Sequence, residues 1–237
     1  MIISGKNVLF AISSCKKFYE KTLDKCIGSL LECGVPPLDI LCVVGGHTPE
    51  ECTEQSDARL QESFGKAKLV TSTLNSLEYN VFIYLVQNKQ LLLQYDYIFF
   101  MHDTSWAGPK FIELLNQTFP KNNPKTYALT PFPSMGIGLY SAEHLLAREG
   151  DILATKNESL DHETEQRIKK WGVFAEDMLL AHECGNFMKS TGGKENVTFV
   201  NPFGTGTPRR VRHFTFLDFY KSQANFSGPQ STMIIDI

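Results

Sequence analysis

The chain has 237 residues, of which 42% are hydrophobic and 21% are charged, and it carries a formal net charge of −3. This composition is that of an ordinary globular protein, which excludes a disordered chain, a collagen and a coiled coil. Because the overall charge is slightly negative, the molecule as a whole has no attraction for nucleic acid or for an anionic membrane surface. Any site for an anion must therefore be local.

The N-terminal segment predicts a chain that is neither exported nor anchored in a membrane. Its apolar run, Val8 to Ile12, is too short for the core of a signal peptide and far short of the ~20 residues of a membrane span. The six cysteines include no C-x-x-C pair, which favours free thiols in a reducing compartment over disulfides or zinc. We therefore expect a cytoplasmic protein with no integral membrane segment.

Strand and helix patterns alternate from the start of the chain. The run Val8 to Ile12 has the length and continuous apolar character of a strand covered on both faces, and it ends at Ser13 and Ser14. Over residues 19–31 the apolar side chains recur at helical spacing, which predicts an amphipathic helix. Residues 38–44 repeat the pattern of a buried strand.

The alternation continues through the first hundred residues. Residues 48–51 carry the signature of a helix start, 67–71 predict a short strand, and 79–93 predict a buried helix. The most hydrophobic strand is predicted over 97–101. Such alternation favours an α/β fold with a mostly parallel central sheet flanked by helices, in which ligands bind beyond the carboxyl ends of the strands.

The second half of the chain continues with weaker patterns. A helix is predicted from Pro109 to Phe119, a strand over 127–130 and a turn-rich passage over 131–138. A helical segment at 178–184 and a strand at 197–200 follow. With no repeat and no low-complexity tract, the chain is predicted to form one domain.

The first candidate site residue is Asp103, which comes two residues after the strand over 97–101. A carboxylate at the C-terminal edge of a parallel sheet can hold a divalent ion that bridges the phosphates of a ligand. Aspartate is also the default turn residue, so a turn or cap role is the alternative. Its neighbour His102 is a second candidate ligand, although a single histidine near a strand end is more often packed or solvent-facing.

The second candidate is the acidic pair Glu176 and Asp177, which stands at the start of the helical segment at 178–184. Two acids there can simply complement the helix dipole. An apolar and aromatic approach over 171–175 favours a drier setting, in which one carboxylate can act as a general base. The dipole interpretation remains open for Glu176.

The third candidate is a basic cluster formed by Arg209, Arg210, Arg212 and His213, which follows the loop Gly204 to Pro208. Guanidinium groups bind phosphate in a bidentate manner, and the chain has little other concentrated positive charge. The alternative is a solvated basic surface.

Two glycines, Gly136 and Gly138, can let the backbone approach a ligand closely, or can simply serve a turn before a strand. They do not form a dinucleotide fingerprint, because that motif opens a helix after the first strand, and here the first strand ends at Ser13 and Ser14. The phosphate-binding loop of nucleoside triphosphatases is absent from the sequence as well.

Taken in order, these motifs resemble those of the nucleotide-sugar-dependent glycosyltransferases of the GT-A fold, over roughly residues 7–221. In that family a first β-α unit carries the nucleotide base, a strand ends in an Asp-x-Asp-type metal motif, and a glycine-containing segment, an x-Glu-Asp motif on a helix and a C-terminal histidine follow. The corresponding segments here are 8–31, 102–104, 136–138, 175–177 and His213.

The resemblance implies a GT-A-like domain over 1–237, with a nucleotide-sugar-binding half at 1–104, an acceptor and catalytic half at 105–221 and a tail at 222–237. It implies transfer of a sugar from a nucleotide-sugar donor, with UDP-sugar favoured, to a hydroxyl of a glycan or glycoconjugate acceptor. The expected reaction is inverting and assisted by Mn²⁺ or Mg²⁺. No nucleic acid partner is implied.

The same resemblance assigns roles to individual residues. Asp177 is the expected catalytic base, with Glu176 orienting it or the acceptor, and Asp103 and His213 are the expected metal ligands. The remaining residues, expected to bind substrate, are Ser13, Ser14, His102, Gly136, Gly138, Arg209, Arg210 and Arg212.

The sequence also departs from the family pattern. The Asp-x-Asp motif is reduced to His102-Asp103-Thr104, so a second carboxylate is missing. Gly45, Gly46 and His47 stand after the second strand, where many relatives carry acids for the base and ribose. These departures favour one alternative function, a non-catalytic module that binds a nucleotide sugar or a glycan on the same scaffold.

Overall fold

The computed structural model describes residues 1–76, 78–131, 134–158, 179–180, 184–201 and 209–224. The strands are β1 (Ile2–Ile3), β2 (Lys6–Cys15), β3 (Ile40–Gly45), β4 (Lys68–Thr71), β5 (Tyr97–His102), β6 (Ser105–Ala107), β7 (Thr126–Ala128), β8 (Gly138–Ser141), β9 (Glu195–Val200), β10 (Arg209–Phe214) and β11 (Phe219–Ala224). The α-helices are α1 (Tyr19–Glu32), α2 (Glu54–Ser63), α3 (Tyr79–Gln87), α4 (Lys89–Leu92), α5 (Phe111–Thr118), α6 (Ala142–Ala147), α7 (Glu149–Ala154) and α8 (Phe187–Thr191).

A central sheet has the strand order β4-β3-β2-β5-β8-β7, with β1 paired to the start of β2. The four strands from β4 to β5 run parallel, whereas β8 is antiparallel to both of its neighbours. The prediction of an α/β fold with a mostly parallel sheet flanked by helices is therefore confirmed. A second, smaller sheet is wholly antiparallel and has the order β6-β11-β10-β9.

Hydrophobic cores lie on both faces of the central sheet. Along β2, Val8, Phe10 and Ile12 point to one core, which also contains buried side chains of α1, α5 and the small sheet. Leu9 and Ala11 point to the other core, with buried side chains of α3, α6 and α7. Because successive side chains of a strand point to opposite faces, a strand covered on both sides has to be apolar throughout, which explains the unbroken run in the sequence.

Two segments differ from the sequence predictions. The helix predicted over 79–93 is broken at Asn88, whose backbone leaves the helical region and whose amide donates to the carbonyl of Tyr84 at 2.8 Å. A side chain that bonds the backbone in this way competes with helix continuation. The helix predicted at 48–51 is a short 3-10 turn, Pro49–Glu51, and α2 begins only at Glu54.

The sequence patterns assign no secondary structure to the basic segment at 209–213. It is strand β10, paired along its whole length with both β9 and β11. The described helices include none with the length and apolar character needed to cross a bilayer.

Candidate functional site

The strand order places a crevice at the carboxyl ends of β2 and β5. From β2 the chain proceeds to β3 and β4 on one side, and then returns to add β5 on the other side. Two neighbouring parallel strands whose connections lead in opposite directions leave a crevice between them, which is where open α/β sheets bind ligands. The register aligns Ser13 with His102, so the predicted residues Ser14 and Asp103 meet at this edge.

Asp103 is held in place by two hydroxyl groups. Ser14 Oγ donates to Oδ2 at 2.7 Å, and Thr22 Oγ1, from the first turns of α1, donates to the same oxygen at 3.1 Å. Burial raises the pKa of Asp103 above its usual value, and this effect is opposed by the Ser14 hydrogen bond and by the nearby Lys221 ammonium. The side chain is thus an oriented carboxylate whose Oδ2 accepts both hydroxyl groups.

Ser13 is a structural residue rather than an open ligand. Its hydroxyl donates to the carbonyl of Glu78 at 2.8 Å and accepts the backbone N–H of Val81 at 3.2 Å. The second bond satisfies one of the N–H groups at the start of α3, as a local cap residue does. Ser13 therefore fixes α3 against the switch between β2 and β5, and Ser14 is the hydroxyl that reaches Asp103.

His102 is engaged by the glycine-containing segment. Its Nε2 lies 2.6 Å from the carbonyl oxygen of Met135, and because a carbonyl can only accept, Nε2 carries the proton. Burial, together with the positive charge of Lys221, lowers the pKa of His102 to about 3. The ring is neutral at physiological pH and ties β5 to residue 135, directly before Gly136.

The two glycines have separate structural roles. Gly136 has φ +71, and its carbonyl oxygen accepts the hydroxyl of Tyr140 at 2.6 Å. A Cβ at Gly138 would collide with the carbonyl oxygen of Tyr127 on the neighbouring strand β7. Gly138 is therefore required by strand packing, and Gly136 by the turn that positions residue 135 against His102.

Lys221, which the sequence motifs did not single out, enters the same crevice from strand β11 of the small sheet. It is 6% exposed, and its ammonium group donates a hydrogen bond to Thr104 Oγ1, one residue beyond Asp103. Burial lowers the pKa of Lys221 to about 8, while Asp103 opposes the shift. The sequence contained one indication that Lys221 is buried. In a strand, residues 219 and 221 point to the same face, and Phe219 is fully buried.

The structure separates the members of the basic cluster. Arg209 is 6% exposed and close enough to Asp103 for the carboxylate to raise its pKa against the lowering effect of burial. Arg210 is exposed and donates to Gln223 Oε1 at 2.8 Å. Arg212 forms a bidentate ion pair with Glu195 of β9, in which Nη2 donates to Oε2 at 2.7 Å. By strand alternation Arg209 shares the face of His213, whereas Arg212 pairs with Lys221 and shares its face; Asp103 acts on Arg209 as a nearby charge.

His213 lies on a different surface. It pairs with Tyr220, the residue before Lys221, so its side chain is on the opposite face of the small sheet from Lys221. Its ring stacks on Tyr220 with centroids 4.1 Å apart, and its Nε2 lies 3.0 Å from Asp218 Oδ1. Trp106 stacks on the same tyrosine at 5.4 Å. We call Trp106, Tyr220 and His213 the aromatic ladder.

His47 is a further residue that sequence reasoning did not assign. It follows β3 at the same edge of the sheet, and both ring nitrogens are buried with no hydrogen-bond partner among the described residues. Its Nδ1 is 3.6 Å from Glu51 Oε2, beyond hydrogen-bond range, and both oxygens of Glu51 are taken by Lys16 at 2.6 and 2.7 Å. Burial lowers the pKa of His47, and the charge of Glu51 opposes this effect.

The donor set at this edge does not fit a divalent cation. Asp103 is the one carboxylate of the reduced motif, one of its oxygens already takes two hydroxyls, and the ammonium of Lys221 stands beside it. His102 is bonded to a carbonyl, and His213 is on the other face of the small sheet. Within the described ranges, no group of three or more His, Cys, Asp or Glu residues could hold a metal ion. Metal ligation by Asp103 and His213 stays a prediction.

The predicted acidic pair, Glu176 and Asp177, lies outside the described residues. Its role as general base therefore also stays a prediction. The described part of the site consists of Ser14, Asp103, Thr104 and Lys221, and we call this set the switch-point site.

Comparison with protein-family models gives no match, and neither does a search of curated proteins. Among solved structures, the chain is similar to S. aureus TarS, with 11% identity over 60% of this chain and 30% of that chain and a TM-score of 0.39. For TarS 1–349 the identity is 13% over 70% of this chain and 55% of that chain, with a TM-score of 0.35. For TarS 1–349 in complex with UDP, the identity is 12% over 70% of this chain and 55% of that chain, with a TM-score of 0.37.

The chain thus spans about a third to a half of the length of these structures. Similarity at this level carries no argument about function, which has to rest on the motifs and on the geometry of the site.

Proposed function

We propose that this protein is a glycosyltransferase that moves a sugar from a nucleotide-sugar donor, with UDP-sugar favoured, to a hydroxyl group of a glycan or glycoconjugate acceptor. The observation that carries the proposal is the switch-point site. The buried ammonium of Lys221 bonds to Thr104 beside the carboxylate of Asp103, at the ligand-binding edge of a mostly parallel sheet. A buried cationic donor at this edge favours an anionic ligand such as a diphosphate.

The order of the motifs supports a sugar nucleotide over other phosphorylated ligands. The sequence lacks the glycine fingerprint of dinucleotide-binding enzymes and the phosphate-binding loop of nucleoside triphosphatases. His47 follows β3 at the same edge of the sheet, and its ring nitrogens, which have no hydrogen-bond partner among the described residues, can supply a donor and an acceptor to a nucleoside.

The proposed reaction is an inverting displacement at the anomeric carbon. The bond from this carbon to the diphosphate oxygen breaks, a bond to the acceptor oxygen forms on the opposite face, and the acceptor proton passes to Asp177. Negative charge grows on the departing diphosphate, so cationic donors at the switch-point site stabilise the transition state more than the ground state. Glu176 would orient Asp177 or the acceptor.

The second candidate function is a non-catalytic module that binds a nucleotide sugar. The reduced motif, with a single carboxylate at Asp103, is the observation that favours it. Both functions require donor binding, and only the enzyme releases free nucleoside diphosphate.

The test is turnover of UDP-, GDP-, ADP- and dTDP-sugars, followed as release of the nucleoside diphosphate, in the wild type and in Asp177→Asn. Because general base catalysis contributes about 10²- to 10⁴-fold, we expect turnover to fall by about 10² or more while UDP affinity is unchanged. Asp24→Asn, which removes an exposed carboxylate of α1, is the matched control.

Binding of UDP without release from any of the four donor classes would establish the non-catalytic module. Normal turnover by Asp177→Asn would show that another residue is the base.

A further inference from the structure

We propose that strand β9 is the interface through which two copies of this chain form a two-fold symmetric dimer, by antiparallel pairing of β9 with β9 of the second copy. The inference concerns the small sheet and does not depend on the proposed function. The occupant is a second copy, rather than another partner, because the strand is complementary to itself in one register.

The first observation is the exposure of β9. The strand stands at the end of the order β6-β11-β10-β9, and from residue 196 to residue 200 its side chains are exposed on both faces. Three of them are large and apolar, with Val197 45%, Phe199 63% and Val200 43% exposed. Three such side chains within four residues form an apolar patch, which is typical of an interaction surface, whereas single exposed apolar residues are not.

The second observation is that β9 lacks the features by which edge strands avoid pairing with other chains. Natural edge strands are short, carry lysine or proline, or are covered by another element. Strand β9 has six residues, is paired with β10 along its whole length, and contains neither lysine nor proline. Its one charged residue, Glu195, is engaged by Arg212 of β10.

Strand β4, at the end of the central sheet, is protected where β9 is not. Helix α2 covers it, since Asp57 Oδ1 accepts the backbone N–H of Thr71 at 2.7 Å and Gln61 Nε2 donates to the carbonyl of Leu69 at 3.2 Å. These bonds occupy backbone groups that could otherwise pair with a strand of another chain. The fold thus covers this edge of the central sheet and leaves the side chains of β9 exposed.

The third observation is the register that a two-fold axis allows. An axis that joins two strands antiparallel is perpendicular to the sheet, so each face continues into the same face of the second copy. With the axis at Thr198, Val197 lies opposite Phe199 of the second copy on both sides of the axis, and Thr198 lies opposite its own equivalent. Pairs of an aromatic with a β-branched residue, and pairs of threonines, stabilise neighbouring strands.

The next symmetric register is less favourable. With the axis at Val197, Glu195 would lie opposite Phe199, which pairs a charge with the largest apolar side chain of the strand. The register at Thr198 therefore covers the patch best. One pair of six-residue strands is smaller than the ~800 Å² per partner of a standard interface, so we expect a weak dimer with a dissociation constant in the micromolar range.

The experiment is sedimentation equilibrium of the full chain between about 1 and 200 µM, a range that spans micromolar dissociation constants. We expect the mean mass to rise from 26.7 kDa towards twice that value. Phe199→Lys should weaken the dimer by about 10-fold or more, because two buried aromatic contacts are lost. Leu38→Lys is the matched control, since Leu38 is a large apolar residue that is 81% exposed outside β9. Thermal unfolding establishes that both variants fold.

A mixture of two variants tests the register. Val197→Glu should weaken self-association as Phe199→Lys does. When the two variants are mixed, association should return, because the register at Thr198 places the new carboxylate opposite the new ammonium and keeps one pair of Val197 with Phe199. In the same register, Thr198→Cys should form a disulfide-linked dimer on oxidation, because the two Cα atoms at the axis lie about 4.5–5.5 Å apart. Asn196→Cys, on the same face, should not exceed the wild type.

A wild type that stays at 26.7 kDa over the whole range would overturn the inference, even if it binds lipid vesicles through the same patch. A dimer that folded Phe199→Lys and Val197→Glu both form as strongly as the wild type would overturn it as well. Cross-linking through Asn196→Cys rather than Thr198→Cys, with no recovery in the mixture, would overturn the register on which the inference rests. None of these outcomes bears on the proposed function, which requires no second copy.

Discussion

The switch-point site and the aromatic ladder both contain residues that the sequence marks as functional, and they differ in how their polar atoms are satisfied. In the switch-point site, Lys221 is buried, and its ammonium bonds to Thr104 Oγ1 beside Asp103. In the ladder, His213 is partly exposed, bonded to Asp218 and covered by the ring of Tyr220.

This difference separates a binding site from a stabilised surface. Burying a charged group costs free energy that its partners have to return, so a buried ammonium at the ligand-binding edge is suited to an anion. The ladder needs no ligand, because each ring is covered by the next and the ammonium of Lys25 lies 3.9 Å from the centroid of Trp106. Chemical type alone did not distinguish the two regions, and burial together with hydrogen-bond partners does.

Among the variants that test the difference between the two regions, we expect the largest effect for Asp103→Asn. The variant leaves the buried ammonium of Lys221 without its carboxylate, and we expect the free energy of unfolding to fall by about 1–3 kcal/mol, less than for a fully buried pair because Asp103 is half-buried. We expect UDP affinity to be retained or increased, since the carboxylate competes with phosphate for the cations. Denaturant unfolding and UDP titration measure the two effects.

If Asp103 is instead a metal ligand, the same variant has to lose Mn²⁺-dependent UDP binding. Asp24→Asn on the surface of α1 controls for removal of a carboxylate as such.

We expect an effect of intermediate size when UDP affinity is measured as a function of pH. The pKa of Lys221 is lowered to about 8 by burial, with Asp103, Cys26 and Glu78 raising it and Arg209 lowering it. A bound anion favours the charged ammonium, so UDP binding takes up a proton. UDP affinity should have its highest value below pH 8, where Lys221 is charged. Above pH 8 it should fall by up to about 10-fold per pH unit.

The dependence is measured as UDP affinity between about pH 6.5 and 9.5, above the second ionisation of the phosphate. Lys221→Met should have lower affinity throughout and no change of slope near pH 8. A wild-type profile that is flat across this range would show that the ammonium does not contact the anion.

The smallest effect is expected for His213→Ala. In the aromatic ladder, this variant loses the stacking contact with Tyr220 and the hydrogen bond to Asp218. We expect the free energy of unfolding to fall by about 1 kcal/mol and UDP affinity to be unchanged. The metal role implied by the family resemblance predicts weaker Mn²⁺-dependent binding instead. Titration of the variant with UDP in Mn²⁺ and in EDTA decides between the two.

The elements of the first half could be predicted from the sequence because their patterns are local. The continuous apolar run at 8–12 requires a strand covered on both faces, and the helical spacing over 19–31 requires a helix against it. The position of Ser14 and Asp103 at one edge followed as well, because parallel strands end on the same side of a sheet. Their contact at 2.7 Å is the result of that register.

The division of the basic cluster could not be predicted in the same way. Side chains of a strand alternate between two faces, and the sequence of Arg209 to His213 shows neither that it is a strand nor which face is buried. Once β10 pairs with β9 and β11, Arg212 meets Glu195 and His213 meets Tyr220. The cluster is a concentration of charge in the sequence, and the strand divides its side chains between the two faces of the small sheet.

By itself the sequence determined the α/β class, the buried strands and the edge at which Asp103 stands, since these depend on hydrophobic period and chain order. Only the tertiary structure decided which cation shares that edge. Lys221 bonds to Thr104 across 117 residues of chain, through a small antiparallel sheet in which β11 pairs with β6. A contact of this kind depends on strand pairing over long sequence separation and on which face of β11 is buried, and no local pattern specifies either one.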